Sequence, residues 1–397
     1  MKFSIYSLPR SWTFNLANSL LKSNNLEYLI TSYPKFFTKK YGIPSRFVKS
    51  FIIFYILNKL SNKLTNLLIN LKLYLGHKVI LERIVDWITD YIYSLFISKN
   101  SDFLLLGFGN SSSHIIKKAK AKGNKTIYFV STAGISSFEK NLKEEYAKLG
   151  LSKLFEQQKT GSLIRKAMDE SIKMADYVGA VSSYCKKTFV EDGVDESKIF
   201  VCYAGVDTKV FFPKNVKKDK FIVLCVAHHF IGKGVRYLID AYNSLELNNS
   251  ELWILGSGNR KYAERFVNVK KNNIFLKSID EFKLPDIYNQ CKIFCIPTLS
   301  DGMPGVLLQA MACGLPAICT KYSIAPDLIT EGQEGFIVEP SDTKTISNKI
   351  KFFYDNPDIT SIMGKKARKR IEENFTWDHV SERIVNFCNQ RSDQSKF

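Results

Sequence analysis

The 397-residue chain has no CxxC pair, no apolar stretch near the ~18 residues that a spanning helix needs, and no acidic side chain between Glu27 and Glu82. Its eight cysteines are scattered at 185, 202, 225, 291, 295, 313, 319 and 388, several of them inside apolar runs such as FIVLCVA and KIFCIP. That spacing argues against a disulfide framework or a zinc site and reads as reduced, buried thiols of a cytosolic protein. The nearest approach to a membrane span, FIIFYIL at 51–57, is too short. The amino-terminal MKFSIYSLPRSW lacks the long apolar core of a signal peptide and reads as a first strand. The chain is expected to be soluble or peripheral, and cytoplasmic. Neither a short repeat nor a low-complexity tract is present.

With 45% hydrophobic residues the chain supports a substantial core, and its length favours two domains. The net charge is +19, from 57 Lys and Arg against 38 Asp and Glu, which favours an anionic partner: nucleic acid, an acidic membrane surface or a phosphorylated ligand. Strand-like and helix-like runs alternate from KFSIYSL to KIFVCYAGV, break at the polar, basic KNVKKDK around 214–220, and restart from FIVLCVA to GFIVEP. Alternation of this kind predicts parallel sheets flanked by helices. The expected division is an amino-terminal domain, 1–213, with a basic, apolar helical insertion at about 35–98, a second domain, 214–375, and a carboxy-terminal helix, 376–397, packing back toward the first domain.

In open parallel sheets ligands bind at loops leaving the carboxyl ends of strands, and three loops of the second half carry candidate groups. Ala227-His228-His229-Phe230-Ile231-Gly232-Lys233-Gly234 follows a strand and precedes a helix. Its glycines permit close backbone approach, and its lysine at a helix start suits a diphosphate, although an ordinary strand-to-helix turn reads the same way. Leu255-Gly256-Ser257-Gly258-Asn259 is a second tight loop, itself compatible with a plain glycine turn. Pro297-Thr298-Leu299-Ser300-Asp301-Gly302-Met303-Pro304, followed by Gly305 and the apolar VLLQAMACG, is the most specific. Gln309 is the only polar side chain in that helix, which predicts a buried, hydrogen-bonded amide. Asp301 reads either as a helix cap or as a carboxylate facing a ligand.

Taken in order, these segments resemble retaining, GT-B-fold glycosyltransferases of family four (glycosyltransferase group 1). PTLSDGMPGVLLQAMACGLP parallels that family's P-S/T-x-x-E-G-x-P and E-x7-E pattern, and APDLITEGQEGFIVEPSD parallels its P-E-x-I-x-x-G-x-x-G-x-L-V-x-P-x-D. Upstream, the stretch ending YAGVDTKVFFP carries G-V-D-x-x-x-F-x-P. The resemblance spans about 178–345, and FTWDHVSERI suits the family's closing helix. It implies a GT-B architecture: two doubly wound Rossmann-like domains facing across a cleft. It also implies transfer of a sugar from a nucleotide donor with retention of configuration and without a metal or cofactor. Asp301 and Lys233 would then be catalytic. His228, Gly232, Lys233, Gly234, Gly256, Ser257, Gly258, Asp301, Gly302, Met303, Pro304, Gly305 and Gln309 would bind the donor, with backbone N–H groups near Gly232, Gly234 and Gly302 to Gly305 facing the diphosphate. The chain departs from the family where Asp301 and Gln309 stand for its paired glutamates, His228 for its diphosphate arginine, and Asp327 for the glutamate of P-E.

The first half is less typical. Its first-strand loop, Ser7-Leu8-Pro9-Arg10-Ser11, lacks the family's glycines, and Val130-Ser131-Thr132-Ala133-Gly134 lacks the histidine often found there. Arg10, His114, Ser131 and Thr132 are the acceptor-side candidates, His114 equally readable as structural. Between Lys35 and Lys78 nine basic residues interleave with FVKSFIIFYILNKL and LTNLLINLKLYL. This pattern suggests contact with an anionic membrane surface at the inner face, alongside a glycan or lipid-linked acceptor in polysaccharide, glycolipid or lipopolysaccharide-like synthesis. No recognition motif supports nucleic acid as a partner. A non-catalytic scaffold of the same fold, and a nucleotide-sugar epimerase, stay open as rival readings.

Overall fold

The computed structural model describes residues 1–7, 12–57, 60, 76–107, 112–158, 162–256, 259–276 and 283–393. Arg10, Ser257 and Gly258, together with 58–59 and 61–75 of the basic segment, lie outside them. The first sheet comprises β1 (Phe3–Ser7), β2 (Leu26–Thr31), β3 (Val48–Ser50), β4 (Phe103–Gly107), β5 (Lys125–Val130), β6 (Tyr177–Ala180) and β7 (Ile199–Val201). Their order is β3-β2-β1-β4-β5-β6-β7, all parallel. The second comprises β8 (Phe221–Val226), β9 (Ser250–Leu255), β10 (Asn273–Leu276), β11 (Ile293–Ile296), β12 (Ala317–Thr320) and β13 (Gly335–Val338), in the order β10-β9-β8-β11-β12-β13, also parallel. Helices cover both faces, so the central strands read as continuous apolar runs: every residue of β1, β4 and β11 is buried. This is the GT-B architecture.

Each sheet reverses its strand order once, between β1 and β4 and between β8 and β11. A crevice opens at such a switch point, outside the carboxyl ends of the strands. In the first domain the loops at that point, 8–11 and 108–111, fall outside the described residues. In the second, both flanking loops, 227–234 and 297–304, are described in full.

The segment expected as a helical insertion at 35–98 is not wholly helical. Val48–Ser50 pairs with β2 as the edge strand of the first sheet, and the helix Gly76–Ser94 follows later. The basic stretch 214–220 is docked rather than free: Lys214 N–H donates to Asn289 Oδ1 at 2.6 Å, and Lys218 Nζ to the Cys291 carbonyl at 2.6 Å. The helix Trp377–Asp393 packs on Thr13–Lys22 of the first domain. There Ser19 Oγ donates to Asp378 at 2.6 Å, and Trp377 stacks on Trp12 with centroids 5.6 Å apart. All eight cysteines are free and buried. Among the described residues no helix is long and apolar enough to cross a membrane.

Candidate active site

The loop after β8 is closed by its own hydrogen bonds, two to backbone carbonyls and one to the His229 ring. Gly232 N–H donates to His229 Nδ1 at 2.9 Å, Lys233 N–H to the His229 carbonyl at 3.0 Å, and Gly234 N–H to the Ile231 carbonyl at 2.9 Å. This corrects the expectation that the Gly232 and Gly234 N–H groups face a diphosphate, since both are already used. Gly234 sits at φ +63°, and a Cβ there would stand 2.0 Å from the Pro297 carbonyl oxygen. Left-handed backbone and a close approach to β11's exit loop both demand glycine. Gly234→Ala is expected to destabilise the second domain by about 3 kcal/mol, measured by urea unfolding, with little change in m-value.

The loop after β11 is tied to the first. The Gly232 carbonyl accepts the Leu299 N–H at 3.0 Å and the Thr298 hydroxyl at 3.1 Å. Thr320 Oγ1 and the Tyr322 carbonyl hold Thr298 and Asp301 from below, at 2.5 and 2.9 Å. These bonds bring Lys233 Nζ against Asp301 Oδ2 as an ion pair, with both side chains largely screened from solvent. Among the described residues, the N–H groups of Gly302, Met303, Gly305 and Val306 have no intramolecular acceptor. They cluster at the start of the helix Gly305–Ala312, where the helix dipole adds positive potential. Gly305 is exposed and nothing lies within 4 Å of where its Cβ would be, so this end is open to a ligand.

Several candidates have other surroundings than expected. Gln309 is half-buried, because Gly305, Val306 and Gln309 form one accessible stripe on an otherwise buried helix. Its Oε1 accepts the Tyr288 hydroxyl at 3.1 Å, and among the described residues its amide hydrogens have no acceptor. The Met303 side chain is held between the two domains. Its sulfur accepts the Ala204 N–H at 3.3 Å, and its side chain packs against cores of both domains. Pro304 is buried at the helix start and His228 is exposed. Gly256 ends β9, its N–H donating to the Leu276 carbonyl at 3.1 Å.

The first domain faces this site through Ser131 and Thr132 at the end of β5. A Cβ on Gly302 would lie 2.2 Å from the Ser131 carbonyl oxygen and 2.8 Å from Cys185 Sγ, which itself donates to the Thr132 carbonyl at 3.3 Å. Ser182 Oγ donates to the Gly302 carbonyl at 2.8 Å. Other bridges cross the cleft beside it. Ser183 N–H donates to Asp327 at 2.8 Å, Tyr184 stacks on Tyr322 at 5.5 Å, and the buried Glu145 accepts the Tyr237 hydroxyl beside Arg236. Burial, then the bond to Glu145, pushes the Tyr237 hydroxyl up to about 12. None of these six cross-cleft side chains, Glu145, Ser183, Tyr184, Arg236, Tyr237 and Tyr322, stands out in the linear sequence.

His114 opens the helix Ser113–Ala121. Its Nδ1 lies 3.0 Å from Asp90 Oδ2, and Trp87 and Tyr91 meet its ring edge-on. Asp90 also accepts the His114 and Ile115 N–H groups at 2.8 and 3.2 Å, so it caps that helix from a neighbouring one. Burial raises the Asp90 carboxyl, opposed by those same bonds.

His229 joins the two domains, with Tyr146 Oη 3.4 Å from Nε2. Desolvation and then the Lys233 charge hold its pKa below the ordinary value of about 6.5. The unfolded chain therefore binds the proton more readily. The stability this group contributes is present above about pH 6.5 and is lost as pH falls through the depressed folded value. Melting curves between pH 5 and 8 should fall more steeply on the acid side for the native protein than for His229→Gln.

Residues 206–370 match the family described as glycosyl transferases group 1. That segment resembles a group 1 glycosyltransferase domain, and it sits on a GT-B frame. An uncharacterized glycosyltransferase of Methanocaldococcus jannaschii is 26% identical over 311 residues, covering 71% of this chain and 72% of that protein. The capsular polysaccharide biosynthesis glycosyltransferase CapM of Staphylococcus aureus is 25% identical over 235 residues, 54% of this chain and 61% of CapM. Among solved structures, Anabaena HepE in complex with UDP superposes with a TM-score of 0.66 at 13% identity, covering 98% of this chain and 100% of HepE. That likeness concerns the fold. The matched segment holds both switch-point loops, and so the Lys233–Asp301 pair.

Proposed function

We propose that this glycosyltransferase moves a hexosyl group from a nucleoside-diphosphate sugar to a glycan or lipid-linked acceptor, with retention at the anomeric carbon. One observation carries the reading. Lys233, Asp301 and the unpartnered N–H groups of Gly302 to Val306 converge at the switch point of the second sheet, opposite Ser131 and Thr132. Breaking the anomeric carbon–oxygen bond moves an electron pair onto the leaving diphosphate and positive character onto the ring. Fixed N–H dipoles and the Lys233 ammonium stabilise the first, and Asp301 orients sugar hydroxyls. Among the described residues no second carboxylate stands beside Asp301 for a double displacement, and in the proposed reaction the leaving diphosphate takes the acceptor proton on the same face. The reaction as proposed draws on no resident cofactor. The Gln309 amide, its carbonyl held by Tyr288, donates to the nucleotide ribose.

The acceptor side favours a membrane-linked substrate, in cell-surface polysaccharide or glycolipid synthesis at the inner face of the membrane. Trp87, Tyr91 and Leu95 are about half exposed at helical spacing, Phe36, Ile52 and Ile53 are also exposed, and Lys35, Lys39, Lys40, Arg46 and Lys49 are near in sequence.

Calorimetry against UDP, GDP, ADP, CMP and their sugar conjugates tests the donor site. UDP comes first because HepE was crystallised with it. Binding of one conjugate, weakened by Lys233→Ala, supports the reading; a folded protein that binds none sinks it. The second reading, a non-catalytic scaffold, is favoured by one observation: Asp301 already neutralises Lys233.

A further inference from the structure

The second domain holds another cavity, of about 610 Å³, at the opposite end of its sheet from the donor loops. Phe221, the first residue of β8, and Lys292, just before β11, line it, whereas the donor loops leave the carboxyl ends of the same strands. A six-residue strand separates those ends by about 20 Å, so one small ligand does not reach both.

The cavity is strongly cationic. Lys214, Lys218, Lys220, Lys292, Lys365 and Arg368 line it, against a single carboxylate, Asp219, which is held by Lys217 at 2.9 Å. Three of the six cations are neutralised: Lys214 by Asp286 at 2.6 Å, Lys220 by Glu251, and Arg368 by Glu372 at 2.6 Å. Arg368 is further fixed by the Phe211 and Ala312 carbonyls at 2.6 and 2.7 Å. Lys292 and Lys365 make no ion pair among the described residues. Among the described residues Lys218 has only the Cys291 carbonyl as acceptor; burial lowers its pKa, and the like charge of Lys292 adds to that. An ammonium kept half-buried beside a second ammonium is costly unless an anion joins them. The volume lies in the range of small-molecule pockets, and Phe353 and Tyr354 supply an apolar wall.

We propose that this cavity is a second anion-binding site, separate from the donor cleft, taking a phosphate-bearing small ligand with at least two negative charges between Lys218, Lys292 and Lys365. The ligand is either a soluble phosphorylated compound or the headgroup of an anionic lipid, and the same ammonium groups recognise both.

Pyrophosphate titrated by calorimetry into the full-length protein at low salt tests this, with Lys292→Glu/Lys365→Glu, Lys233→Ala and Lys369→Glu as variants. Lys369 is exposed outside the cavity and controls for bulk charge. Melting curves confirm that each variant is folded, and Lys292→Gln/Lys365→Gln replaces the charge reversal if it is not. Binding should weaken about tenfold or more in the double variant and persist in Lys233→Ala and Lys369→Glu. Co-sedimentation with phosphatidylglycerol vesicles is the second arm. Loss of the pyrophosphate response assigns a soluble ligand; loss confined to vesicle binding assigns a lipid headgroup. The proposal is overturned if the double variant matches the native protein in both arms, if Lys369→Glu weakens binding equally, or if Lys233→Ala alone abolishes it.

Discussion

Replacing Lys233 by alanine is expected to slow turnover about 10³-fold, the scale of losing a preorganised charge at a developing anion. The variant also leaves Asp301, mostly screened from solvent, without its cation, so stability should fall as well. The two effects separate in a double-mutant cycle. Lys233→Ala/Asp301→Ala should recover part of the stability and none of the turnover. Asp301→Asn probes the pair from the other side. In the ligand-free protein Asp301 is Lys233's partner; when a donor's diphosphate takes over that ammonium, the carboxylate competes with it. Removing the negative charge at constant shape should therefore leave nucleoside diphosphate binding equal or tighter, while turnover falls about 10²-fold because the sugar hydroxyls lose their acceptor. Calorimetry with the nucleoside diphosphate and steady-state kinetics measure the two quantities. If Asp301→Asn weakened diphosphate binding as much as Lys233→Ala does, the pair would be a structural tie between loops and the donor role of Lys233 would be lost.

What the linear sequence reveals of this site depends on chain distance. The loops 227–234 and 297–304 are each continuous, sit between an apolar strand and a helix, and carry glycine, proline and one charged group at positions a strand-end turn requires. Such segments are legible because their geometry is local. Lys233 and Asp301 stand 68 residues apart, and only the neighbouring positions of β8 and β11 in the sheet bring them together. The same holds for Glu145 with Tyr237, Ser183 with Asp327, and Tyr184 with Tyr322, all of which join side chains across the cleft. Local pattern also misleads. The composition of Gly305–Ala312 implies a helix buried all round, yet spacing leaves Gly305, Val306 and Gln309 on one accessible stripe. Glycines at 232 and 234 suggest free N–H groups, whereas His229 and Ile231 consume them. Leu26–Thr31, interrupted by Glu27, and the three-residue Val48–Ser50 give too short a period to declare themselves as strands.

At Gly302 the two domains are closely fitted, and Gly302→Val is expected to cost turnover about 10²-fold or more with donor binding changed only a few-fold. A Cβ 2.2 Å from the Ser131 carbonyl oxygen is well inside van der Waals contact, and the Cys185 sulfur at 2.8 Å blocks the neighbouring direction. Neither obstacle is the end of a flexible chain. Ser131 follows directly on β5, and Cys185 is buried in the helix Ser183–Glu191 with its thiol bonded to the Thr132 carbonyl. The strain is relieved by moving the loop 297–304 away from the first domain, which also breaks the Ser182 bond to the Gly302 carbonyl and withdraws Met303 from its seat against Ala204. The second domain keeps its own sheet, its ties between Gly232 and Leu299, and the open N–H groups at Gly305 and Val306, so the donor retains most of its contacts. An acceptor on the first domain, however, no longer meets the sugar at reacting distance, and a displacement of about 1 Å is enough to cost two orders of magnitude. Gly302→Ala, with one carbon instead of three, should show the same effect in smaller measure. Small-angle scattering should report a larger radius of gyration for Gly302→Val, while calorimetry reports near-native donor affinity. Native turnover together with an unchanged radius would mean that the cleft tolerates the side chain and that contact at Gly302 does not align the two substrates.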